Sequence, residues 1–318
     1  MTTLTEHAAP VVLESPAWPV FDVPAVALSD ERFVRAAGHF ARHVPAVVHD
    51  ALVDFADAAP QAGAIVLRGL PVGELPRTPD SPTTPTDKHL ASEFVLLSVA
   101  RRLGQPIGYL PEHGGDLVQN LVPTRANAHR QVSTSSGVDL MFHTEAAFHP
   151  YRPKYLLLLC LRGDTDAVTT LSSIFEVLAM LPDRVVDTLF EPRFRTAVDE
   201  SYLHGRPNVL GAPMPVLRGD RQRPSMVFDA DLMVGVDEEA DDALRALSAV
   251  VEQHHTGIAL EAGDLLIVDN DVAVHGRSSY EPRWDGFDRW IQRSMAVTDL
   301  APSAGDRVGR VIATRFGA

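Results

Sequence analysis

Apolar residues recur at helical spacing near the start of the chain, predicting amphipathic helices over residues 30–43 and 46–58. Residues 64–68 (Ala-Ile-Val-Leu-Arg) read as a short buried strand ended by Gly69. Residues 74–86 hold four prolines and no periodic pattern, which predicts a loop. Asp87 is placed to cap a helix running to Arg102, with Gly104 as its stop. After residue 105 the pattern changes to short apolar runs broken by Gly and Pro. It predicts strands at 117–122, 155–161, 169–174, 194–198, 225–228, 265–269 and 290–297, with helical inserts at 175–190 and 238–254. The expected class is therefore mainly β, a barrel or sandwich core with helices packed outside it. No linker separates two cores, so 1–318 reads as a single domain. Within it, residues 1–28 would wrap the surface, 29–104 form a helical N-terminal part, and 105–318 form the core.

Composition narrows the class. Of 318 residues, 45% are hydrophobic and 22% charged, which is ordinary globular usage and excludes bulk disorder. The longest apolar run, Tyr155–Leu161, is strand-sized and too short to span a membrane. The N-terminus carries Glu6 and no basic region, unlike a secretory leader. The single cysteine, Cys160, allows no intrachain disulfide. A soluble cytoplasmic protein is expected. With 28 basic and 42 acidic residues the net charge is −14, so the basic footprint that nucleic-acid binding needs is missing. An acidic surface mildly favours cationic ligands. Nothing in the pattern sets an oligomeric state.

The strongest chemical signal is His143-Thr144-Glu145. In an extended segment positions 143 and 145 share a face, so an imidazole and a carboxylate can supply two adjacent coordination positions. His275 is the best third donor: it follows the buried run Leu265–Asn270 and heads His275-Gly276-Arg277. Two histidines and one carboxylate make the facial triad of non-haem Fe(II) oxygenases. Alone, a His-x-Glu is common by chance. The downstream segment Asp288-Arg-Trp-Ile-Gln-Arg293 adds weight, because Arg289 and Arg293 fall on one face of a strand and are suited to bidentate pairing with two carboxylates. His39, His43, His254 and His255 lie on helix faces or ends and read as solvated or capping.

The ordered set His143-x-Glu145, Thr170, His275 and Arg289 resembles the clavaminate synthase-like Fe(II)/2-oxoglutarate oxygenases. Residues 64–71, 143–148, 263–270 and 283–290 carry the likeness over longer stretches, from about residue 45 to the C-terminus. Glu145 matches this branch, where the wider superfamily mostly has Asp. The resemblance implies a distorted double-stranded β-helix, or jelly roll. It implies iron at His143, Glu145 and His275, and 2-oxoglutarate held by Arg289 with Thr170 assisting. It also implies O₂ as co-reactant, with succinate and CO₂ as products. A carboxylate at 145 favours hydroxylation, since halogenases of the superfamily vacate that position for chloride.

Within the branch the chain is similar to hydroxylases of free L-amino acids. That likeness implies that Ser133 and Arg293 hold the substrate carboxylate and Glu112 its α-amino group. Asp229 and Asp231, in Phe228-Asp-Ala-Asp-Leu-Met233, would share a face if extended and suit a cationic side chain, though both also read as turn residues. Glu200 lies in what the family uses as a lid and would close over the substrate. The phrases at 198–203, 227–233 and 309–316 look closer to lysine than to arginine hydroxylases. L-Lysine, at C3 or C4, is therefore the leading expected substrate and L-arginine the second. The rival readings are a tailoring oxygenase acting on another amino-acid-derived substrate and an inert jelly-roll binding protein.

Overall fold

The structure, a computed structural model, describes residues 8–317. Residues 1–7, which include the Glu6 region and the first part of the segment expected to wrap the surface, lie outside the described residues. The run Tyr155–Arg162 is the spine of the fold, buried at every position but the last. Leu157, Leu159 and Leu161 point to a cluster that includes Phe33, Phe94 and Leu97 from the N-terminal helices. Leu156, Leu158 and Cys160 point the other way, onto Leu171 and Ala273 of a second sheet. A strand covered on both faces reads as a continuous apolar run.

Around this spine a nine-stranded sheet runs in the order 11–14, 64–68, 265–269, 155–162, 290–297, 105–109, 311–312 and 307–308, with 119–121 also paired to 290–297. A four-stranded sheet, in the order 256–258, 169–173, 273–277 and 140–143, shares the inner apolar cluster with it. The main sheet thus draws strands from before residue 105, so the β core does not begin at the expected boundary. Val11–Glu14 pairs in parallel with Ala64–Arg68 as an edge strand. The residues after it pack Trp18 and Phe21 against the helical cluster.

The predicted helices form at Glu31–Phe40, Ala46–Asp57, Ala91–Leu103 and Glu238–Gln253. Asp87 does not cap the third helix, which starts at Ala91. The preceding turn instead buries Lys88 against Glu93, with Nζ 2.6 Å from the carboxylate and a further bond to the Ser92 hydroxyl. Gln292 donates to the other Glu93 oxygen, tying this helix to the strand Trp290–Val297. The insert expected at 175–190 is broken into Ile174–Val177 and Asp183–Leu189 at Pro182, which cannot continue a helix.

Candidate active site

In the four-stranded sheet Ala273–Arg277 runs antiparallel to Leu140–His143 and sets His275 opposite His143. The two ring centroids are 4.2 Å apart. The strand ends at His143, so the expected extended alternation does not continue. Glu145 sits in the following turn, where Ala146 takes φ 52°. Two clamps fix that turn. The fully buried Asn270 accepts from the Glu145 backbone N–H at 2.8 Å and donates to the carbonyls of Glu145 and Pro153 at 3.1 and 2.9 Å. On the other side Thr144 N–H donates to the Phe228 carbonyl at 2.7 Å, and Phe228 N–H donates to the Thr144 hydroxyl at 3.0 Å.

The result is a compact donor set. One ligand atom from each of His143, Glu145 and His275 lies within 4.8 Å of the others, and His275 Nε2 is 3.7 Å from Glu145 Oε2. His143 Nδ1 lies 2.8 Å from the Met141 carbonyl. A carbonyl only accepts, so Nδ1 is the donor in this contact and Nε2 is the ring atom left to face a metal. Burial holds the His275 imidazole well below its usual pKa, aided by His143 and Arg293, and so keeps it a neutral donor. Burial pushes Glu145 up, against the opposing pull of Arg293. Two imidazoles and one carboxylate converging from one side suit Fe(II) and leave further positions open.

Arg293 is buried behind this set. Its Nη1 donates to both Glu145 oxygens at 3.1 and 3.2 Å, Nη2 to Glu112, and Nε to Gln119 Oε1 at 2.8 Å. The Tyr202 hydroxyl reaches the other Glu112 oxygen at 3.0 Å. Burial would raise the Glu112 carboxyl, but Arg293 and His113 outweigh it and hold it below its usual value. Burial also opposes the Arg293 charge, and Glu112 and Glu145 outweigh it in turn. Glu112 and Arg293 are thus brought together in one ion-paired chain that runs from Tyr202 to the metal donors. Sequence reasoning misses Gln119 and Tyr202; the pairing of Gln119 opposite Arg293 is visible only once the sheet register is known.

A cavity of about 230 Å³ opens beside His143 and Glu145, lined also by Glu112, Ser133, Asp229, Asp231 and Arg293. Asp229 is buried, and its Oδ1 accepts from the N–H groups of Asp231 and Leu232 at 3.0 and 2.8 Å. It is therefore a turn residue and a wall residue at once. Burial raises its carboxyl above the usual range, with His143 pulling the other way. Asp231 sits at the exposed rim.

Two expected positions need correction. Glu200 does not line the cavity: its side chain is 72% exposed and pairs with Arg130 Nη2 at 2.5 Å. Asp199 and Ser201 take the cavity side instead, with Asp199 capping the short helix Glu200–Leu203. Thr170 lies opposite Gly276, whereas Leu171 pairs with His275 and Thr169 with Arg277. Paired residues of an antiparallel ladder share a face, so Thr169, not Thr170, faces the metal side. Arg289 is buried just before the strand Trp290–Val297, with its guanidinium carbon 5.9 Å from the centroid of the Tyr280 ring.

Comparison with known proteins decides the family. The model for the taurine catabolism dioxygenase TauD, TfdA family matches residues 35–295. The chain belongs to this family. An L-asparagine oxygenase of Streptomyces coelicolor is 39% identical over 309 residues, covering 96% of this chain and 92% of that protein. An L-lysine 3-hydroxylase of Catenulispora acidiphila is 38% identical, covering 87% of this chain and 79% of that one. The solved structure of an asparagine oxygenase in complex with Fe(II), 2S,3S-3-hydroxyasparagine and succinate superposes with a TM-score of 0.85 at 39% identity, over 91% of this chain and 92% of that one. The motif resemblance is thereby borne out. This TauD/TfdA member is a 2-oxoglutarate-dependent non-haem iron oxygenase of the amino-acid-hydroxylating kind, using Fe(II), 2-oxoglutarate and O₂. The inert-barrel reading falls. No described helix is long and apolar enough to cross a membrane.

Proposed function

We propose that the protein hydroxylates a free cationic L-amino acid, L-lysine first and L-arginine second, at C3 or C4. The observation that carries this is Asp229. It is a buried carboxylate beside His143, in the cavity wall, and among the described residues neither it nor Asp231 has an ion-pair partner. A buried charge without a partner is costly, and a substrate ammonium or guanidinium supplies the missing one.

In this reading His143, Glu145 and His275 hold the iron. Arg289 takes the distal carboxylate of 2-oxoglutarate. Arg293 and Ser133 take the carboxylate of the amino acid, and Glu112 its ammonium. The bound iron, with 2-oxoglutarate and O₂, supplies the chemistry that oxidises a C–H bond and yields succinate and CO₂. The chain itself supplies position. Both ends of the amino acid are anchored, so one methylene is presented to the metal, and such orientation removes much of the entropic barrier. The Glu112–Arg293 pair sits ready for a zwitterion, each charge already compensated before the substrate exchanges in. The two sheets sharing the inner cluster fit the distorted double-stranded β-helix of the family, in a single domain. A cytoplasmic site of action, where iron stays ferrous, fits too.

The test is a screen of free L-amino acids with Fe(II), 2-oxoglutarate and O₂, scored by a mass gain of one oxygen. Lysine is expected to give the strongest signal and arginine the next. Preferred turnover of a neutral amino acid would overturn the assignment.

A further inference from the structure

Arg277 and Arg289 are both buried, at 5% and 7% exposure, and both approach Tyr280. Their guanidinium carbons lie 5.0 and 5.9 Å from the centroid of its ring. Among the described residues neither forms an ion pair with a carboxylate. Arg277 stands two residues after His275 and pairs with Thr169, which gives it the metal-facing side of its strand. Two like charges buried this close disfavour each other, so an anion arriving at either one is favoured by both. Arg289 receives the distal carboxylate of 2-oxoglutarate in the proposed function, and a role for Arg277 in cosubstrate binding rests on that assignment.

The hydrogen bonds of Arg277 lead elsewhere. Its Nη2 donates to the Ser135 hydroxyl at 3.0 Å and to the Val138 carbonyl at 3.3 Å, and its Nε to the Ser278 carbonyl at 3.1 Å. Tyr280 N–H donates to the Ser136 carbonyl at 2.8 Å. The cosubstrate end is thus tied twice to the segment 133–138, and that segment carries Ser133 into the amino-acid cavity. Every hydrogen-bond acceptor of Arg277 is neutral; Asp139 opposes its charge through space without pairing with it, so an anion docking nearby still adds compensation.

We propose that Arg277 is a positioning residue that transmits cosubstrate binding to the substrate side of the site, through Ser135 and Val138. A carboxylate on Arg289 offsets the repulsion between the two guanidiniums. Arg277 then holds segment 133–138 more firmly, and the amino acid meets a Ser133 contact already in place. The coupling is reciprocal: the amino acid strengthens 2-oxoglutarate binding by the same factor.

The experiment is hydrogen–deuterium exchange over residues 133–138, with Fe(II) under anaerobic conditions and no amino acid, before and after adding 2-oxoglutarate. Calorimetry follows 2-oxoglutarate affinity in parallel. The wild-type segment is expected to gain protection on adding 2-oxoglutarate. Arg277→Met and Ser135→Ala are both expected to bind 2-oxoglutarate yet lose that gain, and to raise the amino-acid KM about tenfold. A role in folding alone would lower protection equally with and without 2-oxoglutarate, and would contradict the proposal. So would a wild-type gain that is zero, or one that survives in both variants. Ser135→Ala removes only a hydroxyl and carries the test if Arg277→Met does not fold. Arg289→Lys checks the underlying assignment separately: unchanged 2-oxoglutarate affinity there removes the cosubstrate site from Arg289, whatever segment 133–138 does.

Discussion

Around His143, Glu145 and His275 the side chains stand on paired strands or on a turn hydrogen-bonded from both sides, by Asn270 and by Thr144 with Phe228. The cavity is also lined from the turn at Asp229–Leu232, beside His143, and from the four-residue helix Glu200–Leu203. There the connection is an ion pair, Arg130 to Glu200, with side chains 46% and 72% exposed. Metal ligation needs donors fixed to a fraction of an ångström, and a strand ladder supplies that. A mouth must admit and release its substrate, and in the proposed reading an exposed ion pair of little net strength suits that task. In the proposed reading the fixed donors set the chemistry and the less tightly held wall sets the choice of substrate.

The largest expected effect is at the rigid end. His275→Ala should abolish iron-dependent succinate formation while the melting transition remains cooperative; wild-type turnover would remove it from the ligand set. Next comes Arg289→Lys. Lys cannot reproduce the planar fork of a bidentate pair, and a hydrogen bond to a charged group contributes about 1.5–3 kcal/mol. The 2-oxoglutarate KM should therefore rise about tenfold to a hundredfold, with lysine KM far less affected.

The same contrast recurs within one turn. Asp229 is buried and Asp231 is at the rim, so the two carboxylates should differ in their hold on a cation. Asp229→Asn keeps the Oδ1 acceptor for the turn but removes the charge, and truncating a buried partner of this kind costs on the order of 2–5 kcal/mol. Lysine KM should rise tens-fold or more, while uncoupled 2-oxoglutarate consumption persists. Asp231→Asn, screened by water, should change it only a few-fold. Equal effects would mean that the rim and the wall contribute alike. The smallest change belongs to the exposed Arg130–Glu200 pair. Glu200→Gln should alter kcat and KM by no more than about fivefold, an amount salt also produces in the wild type.

Legibility follows the same division. The His143, Glu145 and His275 set can be read because family spacing preserves it and because buried strands such as Leu265–Asp269 announce themselves as apolar runs. The strands that the pattern misses, such as Gln105–Tyr109 and Thr256–Ile258, are short and carry Gly or Pro, and they gain their conformation only by pairing. Thr170 gives way to Thr169 because a face is set by register, and a shift of one residue reverses it. Glu200 is misplaced because three adjacent polar residues, 199–201, give no sign of which will turn inward. Gln119 and Asn270 contact residues far away in sequence, and no local pattern marks them.

The proposed choice of substrate rests on one property, selection of a cationic side chain by the cavity. It is measured by competition between L-lysine and L-norleucine, which has a similar carbon chain but no charge, at equal concentration with Fe(II), 2-oxoglutarate and O₂. Hydroxylated product is resolved by mass. Hydroxylysine should form in large excess, with the preference collapsing in Asp229→Asn. Hydroxynorleucine formed as fast as hydroxylysine would contradict that selection and return Asp229 to the role of a turn residue.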